Sequence, residues 1–567
     1  MLSANRNRAF FQTVLIFIII VLVASLSSCH KTEISVSITP EQADLTAGQQ
    51  FQFTATVSND SKNLVVWTAS GGVIDQSGLY TAGRQAGTYR VVATSTVDKT
   101  KFAVATVRIT VPEGTLLWHK WLASKDYETP SAMAVDNKGN VILAGNTDNK
   151  SIFATQQWSS YCFLAKYTKD GKELWHKWFG AKSNTRINNI FTNDTDDIFI
   201  SGSTVESLFG EPAQGKDEGF VAKLDSGGQV IWHIWLSSKE EDYVDGISLD
   251  QKGNLYLIGS TKGLLFGEMA KGEWDAILLK YDSSGKKLWH SWFSSDKMDR
   301  LNHIAIDSKN AVYLSGISIG NMFSEPNQGE WDSFVVKLDE QGKEIWHKWL
   351  ASGGDDFDKA LLLDASDSLI VSIASDGPLL GHKNKGKTDT LIIKYDSKGK
   401  ILWQKWLAGA GYQEIASLVL DKSNNLIVSG YSDDGLFGEN NKGQGDGFLL
   451  KTNPAGQEVW HKWLSSAKAD LYSSAVVDST GKVFTVAYSE SKLNLNSTQQ
   501  TGNQYLIKFD QDGKKLWQKD LPPPGLESLL LLSTDASGHL YISASTESSF
   551  YGETNKGFAD MFLAKYQ

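Results

Sequence analysis

Along most of the chain, apolar and polar residues alternate in short runs that end at glycine, asparagine, aspartate or serine. A two-residue period marks half-buried β-strands, because successive side chains on a strand face opposite ways. From Thr115 to the end, the runs return in a fixed order. In one copy "IWHIWL" is followed by "DYVDGISLD", "NLYLIGST", "GLLFGEMAKGEWD" and "AILLKYDSSGKK", and then the next tryptophan arrives. The leading tryptophan recurs every 57 residues as Trp118, Trp175, Trp232, Trp289, Trp346, Trp403, Trp460 and Trp517. Lys166, Lys223, Lys280, Lys337, Lys394, Lys451, Lys508 and Lys565 keep the same period. So do Asp136, Asp250, Asp307, Asp364, Asp421, Asp478 and Asp535, with Asn193 in the remaining place. Four strand-like runs per copy and no capped amphipathic helix predict one four-stranded propeller blade per copy.

The phase of the repeat predicts how it closes. It opens on "LLWHKWL" and ends on "MFLAKYQ", so the last copy lacks its Trp strand and the first Trp strand has nothing before it to pair with. An open ring would expose two strand edges. The expected fold is therefore all-β, with an eight-bladed propeller over residues 115–567 whose first strand, 115–122, completes the last blade.

Residues 34–112 carry about seven short alternating runs, among them "QFQFTATV", "LVVWTAS" and "FAVATVRITV". Short strands divided by turn residues predict a β-sandwich. Gly48, Trp67, "GVIDQSGLYTAG" with Tyr80, and the final "ATVRITV" resemble the group 2 bacterial Ig-like domains. No cysteine pair is present, so Trp67 is expected to pack without a disulfide. Residues 113–114 read as a hinge. The runs "D-x-x-G-N-[LV]-Y" and "D-x-F-L-x-K-Y-D-x-x-G-x-x-x-W" over 115–567 resemble the bacterial β-propeller repeat (SBBP-type) of exported surface proteins. That resemblance speaks to architecture and hardly to activity.

At the N-terminus, Arg6 and Arg8 precede a nearly continuous apolar run from Ala9 to Leu26, and then Ser27-Ser28-Cys29. A charged start, an apolar run and small residues make a signal peptide. Ending on a cysteine, it resembles a bacterial lipobox, which implies that residues 1–28 are removed and that Cys29 carries acyl chains at the head of a short tether, 29–33. An uncleaved membrane-spanning anchor is the alternative reading, since the run is almost long enough to span. His30 follows Cys29 where a retention signal would place Asp, so the resemblance implies an outer-membrane lipoprotein of the cell envelope, facing the periplasm or the cell surface.

Charge narrows the partners. The chain has 55 Lys and Arg against 65 Asp and Glu, without basic runs, so no electrostatic footprint for nucleic acid is present. Cys162, the one other cysteine, sits beside Phe163 and Leu164 and reads as a small apolar strand residue.

Chemistry-bearing strings were weighed against structural roles. The recurring tryptophans read as docking residues that cover seams between blades. His119, His176, His233, His290, His347 and His461 accompany them, with Gln404 and Gln518 in two copies. Outer strands of adjacent blades stand on the order of 15 Å apart when strands are about 4.8 Å apart, so these imidazoles do not converge on a metal. "GISIG" around Ser318 matches a nucleophile elbow, but no helix follows it. "GQGDG" at 443–447 opens no helix either. The loop "LFGExxxGxxD" is the first choice for a binding rim: Phe209 and Glu211, Phe266 and Glu268, Phe323 and Glu325, Phe437 and Glu439, Tyr551 and Glu553. The carboxylates that follow it, Glu218, Asp275, Asp332, Asp389, Asp446 and Asp560, read as turn caps. No catalytic residue, metal or cofactor is assigned.

These features favour a lipid-anchored binding or scaffold protein, not an enzyme, that presents its propeller to a protein or glycan partner. An outer-membrane protein assembly scaffold is one alternative, because eight-bladed lipoproteins of that kind resemble the predicted disc. A propeller enzyme, hydrolytic or quinoprotein-like, is the other.

Overall fold

The computed structural model describes residues 33–149, 158–179, 185–213, 215–490, 503–521 and 530–567. The expected signal peptide and Cys29 lie outside them. The chain divides into two compact units, Met1–Thr115 and Leu116–Gln567. All regular structure among the described residues is β.

The first unit holds nine strands in sheets of two, four and three. All three sheets contribute to one core, which contains Ile38, Leu45, Trp67, Tyr80, Val91 and Val107. Trp67 is buried there, and the Tyr80 hydroxyl donates to the Ser70 carbonyl.

The second unit holds eight four-stranded antiparallel sheets, apart from one two-residue hairpin pair. Numbered by their first strands, seven begin at Glu128, Arg186, Asp242, Asp299, Asp356, Gln413 and Asp470. Each of these runs through consecutive strands and ends on its Trp strand, as in Asp299–Ile306, Val312–Ser318, Asp332–Leu338 and Glu344–Leu350. The eighth is assembled from both ends of the unit. Leu116–Leu122 pairs antiparallel with Asp560–Tyr566, which continues to Leu540–Thr546 and Leu531–Thr534.

Second and third strands are buried on both faces, and hence read as near-continuous apolar runs such as "LYLIGST" and "DAILLKY". Consecutive sheets pack on each other, and the first strand of sheet one also packs on the first strand of sheet eight. Because each sheet is a meander, its connections alternate between two ends. The tight first-to-second and third-to-fourth turns share one end, called here the turn face. The longer second-to-third and fourth-to-first connections share the other, the loop face.

On the turn face each tryptophan leaves its own sheet. Trp289 donates from Nε1 to the Glu340 carbonyl at 3.3 Å, and its ring lies over Gly342 of the next sheet's hairpin. Gly342 has φ +82, and a Cβ there would stand 2.9 Å from the indole. Trp118, Trp175, Trp232, Trp346, Trp403 and Trp460 make the same bond to the carbonyl 51 residues on. Trp517 does not. Its hairpin would join Tyr566 to Leu116, where the sheet has no turn, and its buried Nε1 finds no partner among the described residues.

Beneath the indoles, the recurring lysines are buried and paired. Lys394 reaches Asp364 at 2.7 Å and also donates to the Pro454 carbonyl that Trp403 uses. Lys337, Lys451 and Lys565 repeat this with Asp307, Asp421 and Asp535. Where Asn193 fills the aspartate position, Asp197 four residues on takes Lys223 instead, at 2.9 Å. In three other sheets that later place is an asparagine bonded to the aspartate, as with Asn425 and Asp421, so relative to these the two residue types have exchanged places and the buried charge is still neutralised.

Candidate functional site

The rim loops form tight turns. Phe209, Phe266, Phe323, Phe437 and Tyr551 have φ between 53 and 58, and the next residue is also left-handed, as in a type I′ turn. This strain is held by stacking: Phe209, Phe323 and Phe437 lie 4.6 Å from His233, His347 and His461 of their own sheet's Trp strand. Phe266 and Tyr551 sit 5.0 Å from His290 and His119. The carboxylates are engaged in the same place. Glu268, Glu439 and Glu553 lie 3.1, 3.0 and 3.3 Å from His290, His461 and His119. Glu211 accepts from Trp235 Nε1 at 2.8 Å. Burial opposes protonation of His461, but Glu458 and Glu439 raise its pKa. Sheet five exchanges the pair, with His382 on the loop 2.8 Å from Gln404 on the strand. The loops therefore clamp onto their own sheets. The residues expected at a binding rim are thus engaged within the fold, Glu325 apart, for which no such bond is seen among the described residues.

The carboxylates after the loops do cap them. Asp275 accepts from the Lys271 and Gly272 N–H groups, and Asp389, Asp446 and Asp560 do the same with Lys385, Lys442 and Lys556. What the sequence does not reveal is that a second buried acid, on the next sheet's first strand, stands beside each. Asp332 of sheet four adjoins Asp356 of sheet five, joined by the Asp356 N–H to the Trp331 carbonyl at 2.6 Å. Asp446 and Asp470, Asp275 and Asp299, Glu218 and Asp242, and Asp560 and Glu128 repeat the juxtaposition. Burial pushes Asp356 and Asp299 up to about 6 against their serine hydrogen bonds, and the neighbouring acid adds to the rise. One oxygen each of Asp332, Asp356, Asp446 and Asp470 is buried without a partner. At the seam between sheets five and six, Gln413 replaces the second acid and neither side chain is left with such an oxygen.

Residues that do not repeat mark a different place. On the first strands of sheets two to five, Asn188, Asp245, Asn302 and Lys359 stand where other copies carry Ser131, Ala416 or Ser473, and two places earlier stand Arg186, Tyr243, Arg300 and Phe357. Arg186, Asn188, Ser203, Asp217 and Tyr243 line a cavity of about 300 Å³ where sheets two and three meet at the loop face. Arg186 and Asn188 are exposed, with no hydrogen bond or ion pair among the described residues. Burial raises the Asp217 pKa against hydrogen bonds from Tyr243 and Ser203 and the Arg186 charge. One Asp217 oxygen is shielded and has no partner. Tyr243 stacks at 5.3 Å on Trp274, which lies between the Lys262 and Arg300 cations. Further along, burial pushes Asp245 up to about 6 against the Ser260 hydroxyl and Arg300. Asp358 accepts from Asn302 at 2.6 Å and Ser315 at 2.5 Å, and stands 3.8 Å from His303. A larger cavity of about 560 Å³ on the turn face is walled mainly by turns of sheets two and three, and its Asp250 is already paired with Lys280 and Asn254.

Two other readings of the sequence fall where structural roles predict. Cys162 is buried in a strand and burial pushes its thiol up to about 12. Ser318 is buried and donates to Asp299. Among the described residues, no group of three or more metal-ligating side chains converges.

No family model matches the chain. An uncharacterized WD repeat-containing protein of Acanthamoeba polyphaga mimivirus is 19% identical over 475 residues, covering 62% of this chain and 34% of that protein. The chain thus spans about a third of that relative's length. A puromycin hydrolase is 13% identical with a TM-score of 0.39, over 75% of this chain and 59% of the other. A rhamnogalacturonan lyase of Bacillus licheniformis is 11% identical with a TM-score of 0.39, over 91% and 88%. The WD-repeat relative agrees with a repeated all-β architecture. The expectation that the chain is not an enzyme is corrected: a hydrolase and a lyase are among its structural neighbours, and the fold gives no ground for excluding catalysis.

Proposed function

We propose that this chain is an exported lipoprotein that binds an envelope partner through one arc of a closed, eight-bladed propeller. In this reading Cys29 holds the chain to the outer membrane and the first unit is an Ig-like module. The lipobox string supports the anchor. The core shared by three sheets around Trp67 supports the Ig-like module. The pairing of Leu116–Leu122 with the last strand, and the packing of sheet eight on sheet one, support a closed ring.

The observation that carries the binding site is the departure from repetition at sheets two and three, where Arg186 and Asn188 line a cavity without partners among the described residues. Side chains that hold blades together recur in every copy. Polar groups that change from copy to copy and face open space answer to something outside the fold.

The test uses the full chain in lipid vesicles, with envelope polysaccharide and envelope protein fractions passed over it. Arg186→Gln combined with Asn188→Ala is expected to lower retention at least tenfold. Phe209→Ala combined with Glu211→Ala is expected to leave it within twofold. Retention that follows the loop variant instead overturns the site. Labelled palmitate is expected to enter the wild-type chain and not Cys29→Ser, and equal labelling refutes the anchor.

A further inference from the structure

We propose that the cavity between sheets two and three takes an acidic sugar, a pyranose ring bearing a carboxylate. This rests on the arc being the binding face, and it names the ligand's chemistry. The cavity of about 300 Å³ is lined by Arg186, Asn188, Ser203, Asp217 and Tyr243. That is room enough for one sugar ring.

The lining divides into three kinds of group. Arg186 presents a guanidinium with no ion pair or hydrogen bond among the described residues, and a planar fork of N–H donors matches a carboxylate's two oxygens. Asn188 offers a donor and an acceptor, and Asp217 has an oxygen in want of a donor. Ring hydroxyls both donate and accept, and so answer both residues. Tyr243 is fixed by stacking on Trp274 at 5.3 Å, leaving an aromatic wall for the apolar C–H face of a ring.

Other small ligands fit less well. A cation meets Arg186. A free amino acid brings a carboxylate for Arg186 but lacks the hydroxyls for Asn188 and Asp217 and the flat face for Tyr243. A neutral sugar leaves the guanidinium without its counter-charge.

Calorimetric titration of the full, detergent-solubilised chain tests this with three probes: glucuronate, glucose and glutamate. Glucuronate is expected to bind at least fivefold more tightly than glucose, and glutamate not measurably. Arg186→Gln is expected to erase the preference for glucuronate, and Asn188→Ala to weaken both sugars. Arg186 and Asn188 are exposed, so both variants should keep the wild-type melting curve, which is checked alongside. Glucose binding as tightly as glucuronate, glutamate binding more tightly, or a preference untouched by Arg186→Gln each overturns the acidic sugar. If no probe binds while envelope retention still depends on Arg186 and Asn188, the sugar falls and the binding face stands. If neither depends on them, both fall.

Discussion

The two ends of each sheet treat buried charge in opposite ways. On the turn face Asp136, Asp250, Asp307, Asp364, Asp421 and Asp535 each meet a lysine: Asp364 lies 2.7 Å from Lys394, and both side chains are almost fully buried. On the loop face, Asp332 and Asp356 are equally buried but face each other, each with an oxygen left over. Opposite charges in a low dielectric hold adjacent sheets together once their desolvation is met, whereas like charges are neutralised by shifting a pKa. The pH dependence of the two ends should therefore have opposite signs.

The largest test removes a cation from the turn face. Lys394→Met leaves Asp364 buried and unpaired, and should lower the unfolding free energy by about 3–5 kcal/mol, read from urea denaturation. Adding Asp364→Leu should recover most of that loss. A single variant within experimental error of wild type would show that this end does not depend on its ion pairs.

Titration separates the ends next. Asp364 is held below its usual range: burial opposes this, and hydrogen bonds and charge from Lys394 outweigh it. Its contribution is present at neutral pH and lost on acidification. Asp356 sits at about 6, above its unfolded value near 3.8, so its contribution is present in acid and lost as pH rises through about 6. Asp356→Asn mimics the protonated acid and should raise stability at pH 8 by about 2 kcal/mol, with little change at pH 4. Gln413 already occupies this place opposite Asp389. An equal effect of Asp356→Asn at both pH values would erase the distinction between the ends.

Smaller effects sharpen the comparison at the docking tryptophans. Gly342→Ala sets a Cβ against the Trp289 ring at a left-handed φ of +82 and should cost about 2 kcal/mol in thermal or urea unfolding. Trp289→Phe loses the hydrogen bond to Glu340, whereas Trp517→Phe has none to lose. The first should be about 1 kcal/mol more destabilising than the second. Equal losses would mean that ring packing alone holds the seam.

Whatever recurs was legible in the sequence. The strands, the Trp series, the recurring Lys and Asp positions and the pairing of Leu116–Leu122 with the last strand all follow from period and phase, though not that those lysines and aspartates pair. The acid pairs were not legible, because Asp332 and Asp356 belong to different sheets and each alone reads as a cap. The contacts of the rim loops were not legible either, because nothing in the string shows that a left-handed turn folds Phe209 back on His233. The cavity was missed because Arg186, Asn188 and Tyr243 are departures from the repeat, and attention to what recurs passes over what differs. A column-by-column comparison of the eight copies at the seventh and ninth places after the Trp strand would have singled them out.

The stitched eighth sheet also sets a timetable. Trp121 donates to Asp560, 439 positions away, while each of the other sheets forms from one continuous stretch. Pairings this distant along a polymer form late. As the ribosome delivers the chain, Leu116–Leu122 is made first among the propeller strands and must wait, its edge unsatisfied, for the last residues to arrive. A copy cut short before Asp560 keeps that edge open, and an open edge recruits other chains. Quality control of the newly made chain thus has a single feature to read: whether the earliest strand has met the latest.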